Sequence, residues 1–213
     1  MNTRTPLRKD LANLKQKIYT LGEKCLEISS IYKLLLDNYS IKLEGKLIDV
    51  TQEVKKEVKE LCNQCFLVLT LQQPLIKDLR FVIGSLQIII NLEKIAEQFL
   101  SNLSLLPEIN TLEQVLKEKI ITVSKNLHDL IQSVLTEYLS LNLAVSEKKA
   151  TIITEFNLIH DLLYKEVLYN IGKESGYKAQ LSAQVLTTLR VFEKIVDTTS
   201  NISQQVSFII LNK

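Results

Sequence analysis

Residues 177–211 read YKAQLSAQVLTTLRVFEKIVDTTSNISQQVSFIIL, and their pattern decides the fold. Apolar residues recur there at spacings of three and four, which place side chains on one face of an α-helix. This stripe consists of Leu181, Val185, Thr188, Phe192, Ile195, Thr199, Ile202, Val206 and Ile209. An earlier stretch repeats the pattern with Ile88, Leu92, Ile95, Phe99 and Leu103. We therefore predict two long amphipathic helices.

The composition of the whole chain favours helices over strands. Its 213 residues include only five Gly and three Pro, whereas a sheet protein of this length needs many more turn signals. The breaks in the pattern predict six helices, over about 8–37, 41–71, 74–105, 111–140, 146–172 and 177–211. Pro74 suits the first turn of the third helix, and residues 111–114 fit a capping box for the fourth. We predict an all-α fold of six long antiparallel helices.

The two halves of the chain resemble each other. Residues 92–97 (LEKIAE) and 192–197 (FEKIVD) share the order apolar, Glu, Lys, Ile, small, acid, and they are offset by 100 residues. Each lies near the middle of the third helix of its half. This match indicates an internal duplication. We predict two tandem similar three-helix bundles, residues 1–106 and 107–213, with the boundary at the Pro107 break.

Charge and hydropathy exclude two classes of partner. The 26 basic and 24 acidic residues give a formal net charge of +2, without the basic excess of a nucleic-acid-binding protein. The most apolar run, 81–90, is about half the length that spans a bilayer. The first ten residues lack the apolar core of a secretory signal. We predict a cytoplasmic protein that inserts into no membrane.

No catalytic constellation is visible in the sequence. His128 and His160 each precede an Asp, but neighbouring side chains on a helix point about 100° apart and form no dyad. No nucleotide-binding loop or nucleophile motif occurs. Cys62 and Cys65 form a C-x-x-C inside a helical pattern, without a second pair to complete a zinc site. We interpret these cysteines as packing residues and the chain as a non-enzyme.

Two acidic pairs stand out within the repeated segments. Glu93 and Glu97, like Glu193 and Asp197, are four residues apart and share one helical face, away from the apolar stripe. One interpretation is an ordinary solvated face. The other is a metal site, because carboxylates are hard oxygen ligands that suit magnesium, manganese or iron. The spacing leaves both interpretations open.

Two stretches carry a family resemblance. Residues 71–81 (LQQPLIKDLRF) and 190–202 (RVFEKIVDTTSNI) resemble motifs of the PhoU family of phosphate-signalling regulators. The resemblance implies two three-helix halves and a cytoplasmic negative regulator of the phosphate-starvation response. It also implies two partners: the ATPase subunit of the phosphate ABC transporter and a sensor histidine kinase. Some family members bind iron or other metals, with magnesium, manganese and zinc as further candidates, through the acidic motif of each half.

Matching the family pattern by position assigns candidate site residues. The implied metal ligands are Glu93, Glu97, Glu193 and Asp197, and further motif residues are Asp78, Arg80, Arg190 and Asn201. The first half departs from the pattern, with Asn91 where the family has Asp and Glu97 where it has the shorter Asp. We therefore expect metal binding, where it occurs, in the second half.

The leading hypothesis is a PhoU-like adaptor, and two other classes compete with it. A carboxylate-bridged metal-binding protein, either a store or an enzyme, needs Glu-x-x-His motifs. Lys125 and Asn157 stand three residues before the two histidines, which disfavours that class. The third class is a purely structural helical dimer. Exposed apolar helix surface makes a homodimer expected in any of these classes.

Overall fold

The computed structural model describes residues 5–142 and 146–211, and within these ranges the chain forms helices and no strand. The helices are α1 (Thr5–Asp37), α2 (Ile41–Gln72), α3 (Ile76–Ser101), α4 (Leu106–Ile109), α5 (Gln114–Ser140), α6 (Ser146–Ile171) and α7 (Tyr177–Ile210). A 3₁₀ turn spans Leu103–Leu105. None of the helices described carries an apolar stretch long enough to cross a membrane. The predicted all-α fold is confirmed.

The connection between α2 and α3 differs from the prediction. Gln73 adopts a left-handed conformation with φ 42°, which ends α2, and Leu75 is extended. Helix α3 therefore begins at Ile76. The Leu79 N–H donates the first hydrogen bond of this helix to the Leu75 carbonyl, at 2.8 Å. The prediction that Pro74 lies in the first turn of this helix is wrong. Pro74 lies in the connecting segment before it.

The connection between α3 and α5 also differs from the prediction. The chain continues through a 3₁₀ turn into the short helix α4, where Pro107 occupies the first turn and Leu106 and Ile109 are buried. Thr111 Oγ1 donates to the Glu108 carbonyl at 2.7 Å, so it does not cap α5. Helix α5 begins at Gln114 without a side-chain cap. The predicted capping box is therefore wrong.

The long helices form two sets of three that pack against each other. Helices α1, α2 and α3 pack on one another, and so do α5, α6 and α7. The sets meet along α1–α5 and α3–α7, and their buried apolar residues form one continuous core. The predicted stripe of α7 is buried from Val185 to Val206, and that of α3 is buried throughout. The boundary between residues 106 and 107 falls inside α4 and stays a prediction.

An aromatic cluster joins the two sets at their centre. The Tyr32 ring of α1 lies 5.1 Å from Phe99 and 6.0 Å from Phe192, measured between ring centroids. All three side chains are fully buried, and the Asn102 amide donates to the Tyr32 hydroxyl. Burial of the hydroxyl raises the pKa of Tyr32 well above its usual range. The cluster fixes α3 and α7 against each other next to the repeated segments.

Candidate functional site

The repeated segments of α3 and α7 lie side by side. Gln98 Nε2 donates to Thr198 Oγ1 at 3.1 Å and approaches the Lys194 carbonyl at 3.4 Å. Farther along the antiparallel pair, Gly84 of α3 lies against Ile209 of α7, where a side chain on Gly84 would clash. Helices α1 and α5 pack behind this pair, so the outer sides of α3 and α7 form one surface. We call this surface the α3–α7 face.

One carboxylate of the first acidic pair, Glu97, forms a salt bridge with a lysine of α2. Lys55 Nζ lies 2.8 Å from Glu97 Oε1, and both side chains are partly exposed. The bond to Glu97 raises the pKa of Lys55, and the nearby charge of Glu93 adds to the effect. An ammonium group therefore already neutralises part of the charge of this pair.

The second acidic pair is exposed to solvent. Glu193 and Asp197 are exposed and line a shallow pocket of about 320 Å³ together with Phe156, Asn157 and Val196. Within residues 5–142 and 146–211, neither carboxylate forms an ion pair with a lysine or arginine. The two halves thus present similar motifs with different charge environments. The predicted exposure of both acidic pairs away from the core is confirmed for Glu97, Glu193 and Asp197, while Glu93 is half-buried.

His160 lies beneath Glu193 of the second pair, a placement that the sequence analysis did not predict. Its side chain is buried between α6 and α7, and Nε2 lies 3.2 Å from the Leu189 carbonyl. Nδ1 lies 3.5 Å from Asp161 Oδ1 and 3.8 Å from Glu193 Oε1, so Asp161 approaches the ring more closely than the sequence prediction implied. The ring stacks between Phe156 and Tyr164 at centroid distances of 5.3 and 6.1 Å. These aromatic residues lie four positions before and four positions after His160. This spacing is the sequence signal from which the stacking of the three rings could have been predicted.

The remaining motif residues are divided between two places. Arg190 lies one turn before Glu193, and its Nη2 is 3.5 Å from the Tyr164 hydroxyl. The exposed Asn201 lies one turn beyond Asp197 on the same helix. Asp78 is in the first turn of α3, and the Arg80 guanidinium lies 5.7 Å from the Phe208 ring centroid. At 1.5 Å per residue, Asp78 is roughly 22 Å along α3 from Glu93. The structure therefore brings Arg190 and Asn201, but not Asp78 or Arg80, close to an acidic pair.

The cysteines behave as packing residues. Cys25 and Cys65 are buried, Cys62 is half-buried, and all three are free thiols. Burial raises the pKa of Cys65 to about 12, which keeps its thiol protonated and unreactive. The Cys25 thiol lies 3.4 Å from the Leu92 carbonyl at the start of the first repeated segment. These environments agree with the interpretation of the cysteines as apolar core residues.

The candidate ligands do not fit a closed metal cluster. Among the residues that the structure describes, no group of three or more His, Cys, Asp or Glu side chains converges on one point. In the first half, the Lys55 ammonium would repel a metal ion beside Glu97. In the second half, Glu193 and Asp197 supply two carboxylates, which suffice only for a cation that keeps most of its water ligands. The α3–α7 face is therefore a charged surface without a closed set of metal ligands among the described residues.

Comparison with known proteins finds similarity to PhoU proteins both in sequence and in fold. Residues 18–101, within α1 to α3, match the family model described as the PhoU domain. The chain is 23% identical over 222 residues to the phosphate-specific transport system accessory protein PhoU homolog of Clostridium acetobutylicum. That alignment covers 99% of this chain and 97% of the relative.

Two crystal structures share the fold. PhoU from Pseudomonas aeruginosa superposes with a TM-score of 0.88 at 13% identity, covering 97% of this chain and 99% of that one. The phosphate transport system regulatory protein PhoU from Streptococcus pneumoniae gives 0.84 at 18% identity, covering 97% of each chain. The domain match, the full-length relative and the shared fold thus all point to similarity with the PhoU family, which is the family that the two sequence motifs resemble.

Proposed function

We propose that the protein is a cytoplasmic, non-catalytic regulator of phosphate uptake and of the phosphate-starvation response. It acts as an adaptor between the ATPase subunit of the phosphate ABC transporter and a sensor histidine kinase, and it pairs with a second copy of itself. The relative from Clostridium acetobutylicum, which is named as an accessory protein of phosphate-specific transport, supports the pathway. The observation that carries the proposal is the α3–α7 face, on which the repeated acidic segments of the two halves lie side by side.

The difference between the two acidic pairs suggests how the face is used. Lys55 already pairs with Glu97, whereas Glu193 and Asp197 offer two exposed carboxylates with no ammonium partner in the described part of the chain. A partner surface that carries Arg or Lys gains charge-assisted hydrogen bonds from the open pair. We therefore assign docking of a basic partner surface to the second half, with Arg190 and the buried His160 as the residues that flank and support Glu193.

Charge reversal of the open pair tests this assignment. We expect Glu193→Lys/Asp197→Lys to weaken binding to the kinase or to the ATPase on the order of tenfold to hundredfold, because attraction becomes repulsion. Both side chains lie off the core, so the variant keeps its fold. The measurement is isothermal titration of the purified protein with each purified partner.

A matched variant controls for net charge. Glu23→Lys/Glu113→Lys makes the same change in charge at two exposed positions, one on α1 and one directly before α5. We expect it to bind both partners as the wild type does. Unchanged binding of the Glu193/Asp197 variant to both partners would remove the acidic pair from the proposal.

We further propose that any metal binding resides in the second half. Manganese, used as a probe for the iron, magnesium or zinc that the family resemblance suggests, should bind with a Kd of about 0.1–1 mM, since only two carboxylates are available. Glu193→Gln/Asp197→Asn should abolish binding measured by electron paramagnetic resonance, and Glu93→Gln/Glu97→Gln should leave it unchanged. Loss of binding in the first-half variant alone would contradict this assignment.

A further inference from the structure

The outer side of α7 changes from charged to apolar along the helix. A line of exposed residues runs along this side at spacings of three and four, within a sector of about 80° at 100° per residue. In chain order these residues are Glu193, Asp197, Asn201, Gln204, Phe208 and Leu211. The line therefore begins with two acids, continues with two amides and ends with two apolar side chains.

The outer side of α3 shows the same change in the opposite direction. Its line of exposed residues, again within about 80°, consists of Ile76, Leu79, Ile83, Gln87, Lys94 and Glu97. The two helices are antiparallel, with Gly84 against Ile209 and Gln98 bonded to Thr198, so the lines lie side by side with their apolar ends together. The α3–α7 face thus has a charged end, which contains Glu193 and Asp197, and an apolar end. We define the apolar end as Ile76, Leu79, Ile83, Phe208 and Leu211.

The large side chains of the apolar end are in contact with solvent. Ile76 is 73% exposed and Leu211 is 69% exposed, while the other three are between 36% and 42% exposed. The Arg80 guanidinium of α3 lies over the Phe208 ring of α7, 5.7 Å from its centroid, and this cation–π contact holds the ring at the surface between the two helices. Contiguous exposed apolar surface marks sites where another molecule binds.

The second half of the chain shows that the fold does not require these apolar side chains. At the 100-residue offset of the internal repeat, Ile76, Leu79 and Ile83 correspond to Gly176, Ala179 and Ala183. The start of α7 therefore carries small residues where the start of α3 carries large apolar ones. Both helices nevertheless pack into the same core. The exposed apolar residues of α3 are thus available for binding.

We propose that the α3–α7 face binds one helix of a partner protein, and that this helix is polarised along its length, apolar at one end and basic at the other. The inference rests on the proposed docking of a basic surface to Glu193 and Asp197, and it adds the form of the partner segment. From Leu211 to Glu193 the face extends roughly 27 Å at 1.5 Å per residue, which a helix of about 18 residues spans. The partner helix lies in the groove between the two lines of exposed residues.

The two ends of the face together select this chemistry. Apolar side chains of the partner helix cover Leu79, Ile83 and Phe208, while its Lys or Arg side chains form charge-assisted hydrogen bonds with Glu193 and Asp197. A helix that is apolar throughout would bury both carboxylates without a counter-charge, which is costly. A helix that is basic throughout would leave the apolar end in water. A helix with separate apolar and basic ends satisfies both.

Two synthetic peptides test the proposal on the full chain. The polarised peptide is a helix of about 18 residues with leucines along one face of its first half and lysines along the same face of its second half. The mixed peptide has the same composition, with leucines and lysines alternating along that face. We expect fluorescence polarisation to show that the polarised peptide binds at least about tenfold more tightly than the mixed one.

A variant of the apolar end verifies where the peptide binds. Leu79→Ala/Ile83→Ala introduces the residues of the second half and should raise the Kd of the polarised peptide on the order of tenfold, at low and at high salt. The matched control Leu67→Ala/Leu71→Ala truncates two exposed leucines that line a groove between α1 and α2, and it should leave the Kd unchanged. Circular dichroism verifies that each variant keeps its helical content.

A variant of the charged end should behave differently with salt. Glu193→Gln/Asp197→Asn should raise the Kd of the polarised peptide on the order of tenfold at low salt and by less at high salt, because salt screens the ionic contacts that it removes. The contrast with Leu79→Ala/Ile83→Ala shows that the two ends of the face bind different side chains of the peptide.

The apolar-end variant also separates this inference from the proposed function. Titrated with the purified kinase and ATPase, Leu79→Ala/Ile83→Ala should weaken binding to the partner whose binding Glu193→Lys/Asp197→Lys also weakens. Weakening by the charge reversal alone would overturn the inference and leave the proposed function standing. A chain that discriminates between the peptides but binds neither protein would contradict the proposed function alone.

Three results of these assays overturn the proposal. The first is equal binding of the polarised and mixed peptides. The second is a Leu79→Ala/Ile83→Ala variant that binds the polarised peptide as the wild type does. The third is a variant that instead loses self-association in sedimentation or binding to phosphatidylglycerol vesicles, since a second copy or a membrane surface would then cover the apolar end.

Discussion

Replacing Lys149 with Met lowers the free energy of unfolding by about 3–5 kcal/mol, because it leaves a buried carboxylate without its counter-charge. Glu137 of α5 is fully buried, and Lys149 of α6 donates to both of its oxygens at 2.9 Å. Ser203 Oγ of α7 donates to the same carboxylate at 3.1 Å. This network ties together the three helices of the second set. Urea unfolding followed by circular dichroism measures the loss.

Two comparisons isolate the effect of burial. Lys119→Met breaks the Lys119–Glu166 pair, whose side chains are 40% and 45% exposed, and should cost less than about 1 kcal/mol. Glu137→Leu/Lys149→Met removes both charges and should recover most of the stability lost in Lys149→Met. A Lys149→Met variant that is no less stable than Lys119→Met would show that the network does not hold the second set together.

Replacing Phe192 with Ala lowers the free energy of unfolding by about 3–5 kcal/mol, through lost burial and the cavity that remains. Phe192 is fully buried against Tyr32 and directly precedes Glu193 of the second motif. The expected loss therefore measures how firmly the aromatic cluster holds the α3–α7 face in place. Thermal and urea unfolding of the variant check the magnitude.

The matched control uses a phenylalanine outside the core. Phe66 on α2 is 54% exposed, and Phe66→Ala should change the free energy of unfolding by less than about 0.5 kcal/mol. Equal stabilities of the two variants would mean that Phe192 is not a core residue and that the helix faces are assigned incorrectly.

The apolar periodicity was sufficient to predict α3 and α7 and the faces that they turn to the core. The α7 stripe from Val185 to Val206 is buried as predicted, because packing in a helical bundle follows the 3.6-residue repeat. The ends of helices were predicted less well. Pro74 and Thr111 carry helix-start signals, but the left-handed Gln73 and the short helix α4 shift both starts toward the C-terminus.

The candidate site was predicted in part. The positions and exposure of the acidic pairs follow from spacing along one helix. The Lys55–Glu97 pair and the position of His160 beneath Glu193 depend on which faces of α2 and α6 meet α3 and α7. That register is set by side-chain packing between distant segments, so no local pattern could supply it.

The most direct test of the adaptor function is a pull-down of the tagged full chain from its own cells, grown in high and in low phosphate and analysed by mass spectrometry. We predict recovery of the phosphate transporter ATPase and of a sensor histidine kinase, in amounts that change with phosphate and fall for Glu193→Lys/Asp197→Lys. Recovery of neither protein in either condition would contradict the adaptor function while leaving the fold unaffected.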